Sequence, residues 1–272
     1  MKKLKALVYG VGNIGKDIAR FMIDKGVVIT DVIDIQHVGE DLGDVLGLDR
    51  KLNVKVSDDA DTVLAETGAD IATVAVATSM DTLYPHVKKC LEAGLNVITT
   101  SEEASYPWTT APSITGKLDR IAKENGVTIT GSGMQDLFWA TLVTTLSGAA
   151  HRIDSVEGNL SINMDSMPAF VADFYAVGRK EKEIRQMIEK GEKLPLGDEV
   201  DFLFMDLENQ INELGLTSKK YRKIVEPIIL DKDIKSKALE KTIPAGDVIG
   251  LDITIEIDTK EGILFRGTQT AK

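Results

Sequence analysis

Two groups of residues in the 272-residue sequence have types and spacings that could do chemistry. The first is the run Gly10-Val11-Gly12-Asn13-Ile14-Gly15, whose glycines suit a tight turn, a close approach of backbone to phosphate, and close packing of a helix on a strand. The second is the carboxylate pair Glu102 and Glu103, which could stabilise a cation or move a proton. Because the glycine run lies between an apolar strand pattern and a helical pattern, it predicts a dinucleotide-binding turn.

An acidic residue in the right place supports this interpretation. Asp34 ends the second predicted strand, 24 residues after Gly10, where a carboxylate would meet the adenosine ribose hydroxyls. It disfavours a 2′-phosphate, and residues 35–37 include no arginine, so NAD is the predicted cofactor and NADP the second candidate. The competing P-loop interpretation, Gly10-x-x-x-x-Gly15-Lys16, is rejected because Asp17 replaces the Ser or Thr that would present a hydroxyl to magnesium.

The elements that must position these residues alternate regularly through the first 130 positions. Predicted strands are 4–9, 27–33, 54–56, 71–77, 95–99 and 127–130, and predicted helices are 14–25, 60–66, 82–93 and 117–124. Strand–helix alternation of this kind predicts an α/β fold, a doubly wound parallel sheet of Rossmann type.

The alternation stops near Ser155, which predicts a dinucleotide-binding domain over 1–150 and a smaller α+β domain over 151–272. We expect the second domain to serve substrate binding and dimerisation. Predicted elements of the second domain are strands 155–163, 251–258 and 263–265 and helices 182–190 and 199–214. In strand 251–258 the isoleucines alternate with polar residues, and helix 199–214 carries one apolar stripe.

The carboxyl ends of the strands should hold the site, because open parallel sheets bind ligands there. Predicted cofactor-binding residues are Gly10, Gly12, Asn13, Ile14, Gly15, Asp34, Thr78 and Ser79. Predicted substrate-pocket residues are Tyr106, Gln135, Phe138 and Trp139. Neighbours in an extended segment point to opposite sides, so one of Glu102 and Glu103 is expected to face the pocket; the alternative, both solvated or salt-bridged, stays open.

Composition narrows the function classes. The sequence has 43 acidic and 32 basic residues, a net charge of −11, which makes nucleic acid an unsuitable partner. One cysteine, Cys90, predicts a buried thiol in a reducing compartment, and no apolar run approaches the roughly 20 residues of a membrane helix. His37, His86 and His151 lack ligand spacing, so no metal site is predicted. We expect a cytoplasmic protein.

Three stretches carry a family resemblance: residues 8–15, the run Val38-Gly39-Glu40-Asp41-Leu42-Gly43, and Glu102-Glu103-Ala104-Ser105-Tyr106-Pro107-Trp108. Together they resemble the 2,4-diaminopentanoate dehydrogenases, a group that includes native amine dehydrogenases and whose N-terminal domain is similar to that of dihydrodipicolinate reductase. The resemblance implies a homodimeric enzyme that uses NAD(P) to deaminate a small-molecule amine oxidatively. It also implies that a glutamate after the fifth strand is the catalytic carboxylate, here Glu102, with Glu103 as second choice.

Two other functions are compatible with a dinucleotide-binding domain. A reductase of cyclic imines would carry a histidine-rich segment and a pocket lysine, and the sequence has no such segment. A regulator that binds NAD(P) without catalysis is the other alternative. Residues 133–138 lack the Asn-Pro-Gly sequence of many relatives, and those relatives continue for several dozen residues beyond the position of Lys272. The sequence is therefore either a compact variant or an incomplete chain.

Overall fold

A computed structural model describes residues 3–133, 139–192, 194 and 202–272, with the side chain of Phe202 excluded. The chain divides into two compact units, Met1–Leu137 and Phe138–Lys272. The boundary predicted at residue 150 falls after this division. Helix α7 (Leu142–Ser147) accounts for the difference, because it belongs to the second unit and the Thr144 hydroxyl donates to Glu213 at 2.6 Å.

The first unit is built on a six-stranded parallel sheet with strand order β3-β2-β1-β4-β5-β6. The strands are β1 Lys5–Tyr9, β2 Val28–Ile33, β3 Val56–Ser57, β4 Ile71–Val74, β5 Asn96–Thr99 and β6 Ile129–Gly131. The order reverses between β1 and β4, which makes the carboxyl ends of these two strands the switch point where ligands bind in such folds. The predicted doubly wound sheet is confirmed.

Helices cover both faces of this sheet. They are α1 Asn13–Asp24, α2 Leu42–Val45, α3 Ala60–Glu66, α4 Met80–Glu92, α5 Pro107–Thr110 and α6 Pro112–Asn125. One apolar cluster packs α4 and α6 against the sheet through residues such as Leu83 and Leu118, and a second packs around Val8 and Leu42. The sixth helix begins before the predicted Lys117 because Pro112, with its fixed φ, suits the first turn.

The second unit contains a mixed four-stranded sheet in the order β7-β12-β11-β8. Its strands are β7 Ser155–Ile162, β8 Ser218–Ile229, β11 Val248–Thr259 and β12 Leu264–Ala271, and a separate ribbon pairs β9 Ile234–Ser236 with β10 Lys241–Ile243. The hairpin predicted between 251–258 and 263–265 is confirmed as β11–β12, whereas β12 and β7 are parallel.

Helices of this unit are α8 Ala169–Phe174, α9 Glu181–Lys190 and α10 Phe202–Glu213, besides α7. Helix α10 packs on the sheet so closely that a Cβ at Gly267 in β12 would overlap the Leu203 side chain. Of the predicted helix 199–214, residues 199–201 lie outside the described residues. Burial extends beyond the predicted apolar stripe, since polar residues such as Asn209 and Gln210 are buried as well.

The other face of the sheet is polar but not uniformly exposed. Glu256, which alternates with isoleucines in β11, is only 3% exposed because Arg222 and Arg266 both donate to its carboxylate. Hydrogen bonds from Arg266 and then Arg222 hold the pKa of Glu256 below its usual value. None of the helices in the described ranges has the length and apolar character needed to cross a bilayer.

Candidate active site

The glycine turn after β1 has a geometry that side chains would disturb at two positions. Gly10 has a φ of +97°, and a Cβ there would overlap the backbone of Ala75. A Cβ at Gly15 would overlap the carbonyl oxygen of Gly10, so this glycine lets α1 pack against the end of the strand. Gly12 is different, because nothing lies within 4 Å of the Cβ position and the space beside its backbone is open.

The first turn of α1 can bind an anion. Gly12 is the N-cap residue, and within the described chain no side chain caps the turn. The N–H groups at a helix N-terminus have no intrahelical partner, and the helix dipole places partial positive charge there. Asn13 and Ile14, two of the predicted cofactor-binding residues, are the first residues of α1. The N–H groups of this turn therefore suit the pyrophosphate of a dinucleotide.

The structure brings Asp34 to this turn. Its Oδ2 accepts a hydrogen bond from the Val11 N–H at 2.6 Å, and its Oδ1 accepts one from the Gln36 N–H at 2.7 Å. The carboxylate thus links the glycine turn to the loop after β2. The neighbouring Ile35 is 87% exposed, which leaves an apolar side chain beside the turn.

The P-loop interpretation fails in the structure as it does in the sequence. The Asp17 carboxylate forms an ion pair with Arg20 at 3.1 Å on the surface of α1. No hydroxyl for a magnesium ion is present at that position. Lys16 lies 3.4 Å from His37 in the loop after β2, measured from Nζ to Nε2.

The loops after β4 and β5 are joined by hydrogen bonds. The Ser101 hydroxyl donates to the Thr78 carbonyl at 2.6 Å, and the Glu103 N–H donates to the same oxygen at 3.3 Å. Ser101 is buried, and its own N–H donates to the Thr99 hydroxyl at 3.1 Å. These contacts fix the Glu102–Ser105 turn beside Thr78 at the carboxyl edge of the sheet.

Glu103 caps a helix. Its Oε2 accepts a hydrogen bond at 2.6 Å from the N–H of Met80, the first residue of α4. Ser79, the N-cap residue by position, makes no side-chain cap, and its hydroxyl instead lies 3.2 Å from that of Thr82. A carboxylate is favourable at a helix N-terminus, so Glu103 stabilises α4 and holds its own loop against that helix.

Glu102 has a different environment. Its side chain is partly buried, and burial raises the pKa of its carboxyl, while a hydrogen bond with Thr78 acts in the opposite direction. The two glutamates lie in a 3-10 helix, Glu102–Ser105, so the extended segment assumed in the sequence argument is wrong. The two carboxylates nevertheless have different surroundings. That of Glu103 is hydrogen-bonded to α4, and that of Glu102 is partly desolvated beside Thr78.

Gly131 supports the turn from the next strand, and its role was missed from the sequence. A Cβ at this position would overlap the carbonyl group of Ala104, so the end of β6 and the Glu102–Ser105 turn touch through backbone. The Gly-Ser-Gly run at 131–133 was the available signal.

We expect Gly131→Ala to displace the turn that carries Glu102. Dinucleotide binding should be unchanged, because the glycine turn at 10–15 is untouched. If the predicted role of Glu102 holds, kcat should fall by about tenfold or more, since small misplacements of a reacting group are costly. Steady-state kinetics beside cofactor titration tests this. Gly116→Ala in α6, where a Cβ would meet nothing within 4 Å, is the matched control. Equal kcat values for the two variants would contradict the supporting role.

The predicted pocket aromatics belong to different units of the chain. Tyr106 is partly buried and precedes α5, in which Trp108 is 53% exposed. Trp139 lies in the second unit, where its ring occupies the position that a Cβ of Gly158 would take, and its carbonyl accepts from the Gln210 side chain. Gln135 and Phe138 lie outside the described residues.

Other titratable groups of the first unit form a partly buried set on the α4 side of the sheet. The Tyr9 hydroxyl lies 2.9 Å from Nδ1 of His86. Burial raises the pKa of Tyr9, lowers the pKa of His86 and raises the pKa of Cys90 to about 12. The predicted buried thiol is confirmed. Across the described ranges, no cluster of three or more His, Cys, Asp or Glu side chains could hold a metal ion.

Known proteins with similar sequences and folds identify the family. Residues 4–104 match the family described as dihydrodipicolinate reductase, N-terminus. The structure of an amine dehydrogenase from Mycobacterium smegmatis is 38% identical, with a TM-score of 0.84, and the match covers 100% of this chain and 79% of that one. The chain belongs to the amine dehydrogenase family. The 2,4-diaminopentanoate dehydrogenase of Acetoanaerobium sticklandii is 27% identical over 244 residues, 87% of this chain and 67% of the relative.

Membership of the amine dehydrogenase family makes this chain an NAD(P)-dependent oxidoreductase, and the predicted family is confirmed. More distant structures share the fold alone. GenD2 from gentamicin A biosynthesis, solved in complex with NAD, is 17% identical with a TM-score of 0.57, and the match covers 99% of this chain and 66% of that one.

Proposed function

We propose that this amine dehydrogenase catalyses the reversible oxidative deamination of an amine, with 2,4-diaminopentanoate as the first candidate substrate and 2-amino-4-oxopentanoate and ammonia as its products. The observation that carries the proposal is the partly buried Glu102 carboxyl, whose pKa is raised, at the carboxyl edge of the sheet that holds the glycine turn. The similarity to the Acetoanaerobium sticklandii enzyme supports the choice of substrate.

The cofactor fits the described residues. The uncapped first turn of α1 and the open space at Gly12 suit a pyrophosphate. Thr78 and Ser79 follow β4 at the switch point, where we propose that the nicotinamide binds. Asp34 can accept hydrogen bonds from ribose hydroxyls, because each carboxylate oxygen has a second lone pair beyond the one used by Val11 or Gln36. This arrangement favours NAD. When bound, the nicotinamide accepts the hydride from the amine-bearing carbon.

Glu102 acts on the substrate. Loss of hydride leaves an iminium cation, and an ionised carboxylate next to it lowers the free energy of that charge. Partial burial strengthens the interaction, since water screens it less. The same carboxylate can accept a proton from the water molecule that adds to the iminium carbon and pass it to the nitrogen of the resulting carbinolamine. The carbon–nitrogen bond then breaks, ammonia leaves, and the hydroxyl proton returns to the carboxylate as the ketone forms. In the reverse direction Glu102 supports the addition of ammonia to a ketone.

The charge of the protein suits a cationic substrate. The net charge is −11, and the segments that follow β5 and β6, residues 101–108 and 131–139, contain no lysine or arginine. A diamine would meet attractive potential and no nearby cation in these segments. A substrate with a single carboxylate and no second amine would lose this advantage.

A substrate screen tests the proposal. The purified chain is incubated with NAD⁺ and a panel of 2,4-diaminopentanoate, simple alkyl amines and hydroxy acids, and formation of reduced cofactor and ammonia is measured. The proposal requires both products to form in equal amounts from an amine. A second assay with NADH and a cyclic imine tests the reductase alternative, which reduction of the imine without any deamination of the amines would favour. Cofactor binding without turnover of any substrate in either assay would favour the regulator.

The homodimer stays a prediction. We propose the polar face of the mixed sheet as the surface that a second copy would contact. This face includes charged side chains of both signs, such as Glu226, Arg266 and Asp252. Light scattering of the purified chain at several concentrations measures the assembly directly.

A further inference from the structure

Two buried hydroxyl groups connect the ends of β4 and β5 at the carboxyl edge of the parallel sheet. The Thr99 hydroxyl donates to the Val74 carbonyl at 2.8 Å and accepts from the Ser101 N–H at 3.1 Å. The Ser101 hydroxyl in turn donates to the Thr78 carbonyl at 2.6 Å. Thr99 is fully buried and Ser101 is 3% exposed. A hydroxyl has one donor, so each of these groups is committed to a main-chain carbonyl on the β4 side.

The two acceptor carbonyls lie at the two ends of the short segment that follows β4. At its start this segment passes the glycine turn, where the Ala75 N–H donates to the last carbonyl of β1 at 2.8 Å and a Cβ at Gly10 would overlap the Ala75 backbone. At its end is the Thr78 carbonyl, which also accepts from the Glu103 N–H at 3.3 Å. The two hydroxyls therefore hold both ends of the segment between the glycine turn and the turn that carries Glu102.

The position of Glu102 depends on these contacts. Ser101 is the residue directly before the turn, and its carbonyl accepts from the Ala104 N–H at 3.1 Å. On the other side of Glu102, the Glu103 carboxylate accepts from the Met80 N–H at 2.6 Å. The backbone of Glu102 thus lies between two anchored neighbours. Loss of the Ser101 hydroxyl would release one of these anchors and let the turn shift relative to β4.

We propose that Thr99 and Ser101 are positioning residues for Glu102, whose carboxyl group their hydroxyls hold in the place where it acts on the substrate. The inference rests on the proposed function and adds two residues that act through Glu102, since both are buried. A displacement of about 1 Å costs a reacting group far more than it costs the fold, because catalysis depends on a near-attack geometry.

Kinetics of matched threonine variants test the proposal. Thr99→Val keeps the shape of the side chain but leaves the Ser101 N–H without its acceptor, so kcat for the amine should fall by about tenfold. Thr99→Ser keeps the hydroxyl and should retain kcat within about threefold. Thr73→Val is the control, because Thr73 is another buried threonine of the sheet and its hydroxyl donates to the Leu7 carbonyl at 3.5 Å. Its kcat should match that of the unaltered protein.

Ser101→Ala removes the other hydroxyl and should also lower kcat by about tenfold. Calorimetric binding of ADP should be unchanged in this variant, because the glycine turn and α1 keep their contacts. Equal losses of kcat in Thr73→Val and Thr99→Val would overturn the proposal, since any buried hydroxyl of the sheet would then have the same effect. Normal kcat in both Thr99→Val and Ser101→Ala would overturn it as well.

A titration followed by NMR tests the positioning role without any turnover. In protein labelled with ¹³C at the glutamate carboxyls, the signal that is missing from Glu102→Gln identifies Glu102. Burial raises the pKa of Glu102, so a turn loosened by Ser101→Ala should admit water and move the pKa toward the ordinary range of a glutamate. An unchanged titration in Ser101→Ala would overturn the proposal. If the unaltered protein deaminates no amine, the proposed function fails, whereas this titration still decides whether the hydroxyls position Glu102.

Discussion

Replacement of Glu102 by glutamine should lower kcat for amine oxidation by about 10²- to 10⁴-fold, the range for loss of a general acid–base group. The amide keeps the size of the side chain but cannot offset the charge of an iminium or take a proton from water. Cofactor binding should be unchanged, because the glycine turn and Asp34 belong to other loops of the sheet. Steady-state kinetics with 2,4-diaminopentanoate, together with NAD⁺ titration, measures both quantities.

The pH profile gives an independent test of the same residue. Oxidation requires the ionised carboxylate, and burial raises the pKa of Glu102, so kcat should rise with pH through a limb above the ordinary range of a glutamate. The residual activity of Glu102→Gln should lack this limb. A limb that survives in the variant would assign the titration to a different group.

The neighbouring glutamate is the control, and thermal stability separates the two. The folded-state pKa of Glu102 is raised above its unfolded value, so its contribution to stability is present at low pH and lost as pH rises through the folded pKa. Glu102→Gln should therefore raise Tm at neutral pH. Glu103→Ala removes the acceptor for the Met80 N–H, which should cost about 1 kcal/mol and lower Tm by a few degrees.

The opposite result for the two glutamates would assign the catalytic role to Glu103. If Glu103→Gln lost the larger share of kcat while Glu102→Gln stayed active, Glu103 would be the catalytic carboxylate and Glu102 a supporting residue. The sequence left this choice open for a physical reason. Glu103 accepts a hydrogen bond from the Met80 N–H, whereas Glu102 is partly buried beside Thr78. Both partners lie more than 20 residues earlier in the chain, so local sequence does not distinguish the two carboxylates.

The first unit could be predicted well because its signals are local. The helix at Ala60–Glu66 was predicted with its observed bounds, since Asp59 at the N-cap accepts from the N–H of Thr62 three residues later. The fourth strand was predicted too long. It ends at Val74 rather than Ala77, because the chain must turn there past Gly10, whose missing side chain makes room for the backbone of Ala75.

The second unit was harder to predict because its strands depend on distant partners. Strand β8 contains the run Ser218-Lys219-Lys220-Tyr221-Arg222-Lys223, which lacks the apolar alternation of a half-buried strand. It is a strand because β11 supplies the whole antiparallel register, for example Lys223 opposite Ile255. Charged side chains are typical of an edge strand, where they discourage pairing with other chains. Only knowledge of β11 as a partner would have predicted β8.

The largest effect on cofactor binding is expected from Gly12→Ala. Its φ of −66° and ψ of −164° suit alanine, and nothing lies within 4 Å of the added Cβ, so the variant should fold with Tm within about 2 °C of the unaltered protein. The methyl group would occupy the space that a pyrophosphate needs. Loss of one charge-assisted hydrogen bond from the helix N-terminus, about 1.5–3 kcal/mol, corresponds to a Kd for NAD⁺ that is weaker by about 10- to 150-fold.

Gly15→Ala separates binding from folding at the same turn. Its Cβ would overlap the Gly10 carbonyl, so α1 must move away from the end of β1, and we expect a loss of about 1–3 kcal/mol in the free energy of unfolding. Chemical denaturation beside NAD⁺ titration should therefore show Gly15→Ala as destabilised and Gly12→Ala as stable but poor in cofactor binding. Normal NAD⁺ affinity in Gly12→Ala would mean that the open space beside the turn is not where the phosphates lie. The cofactor site would then have to be sought away from α1, although the glycines would keep their structural roles.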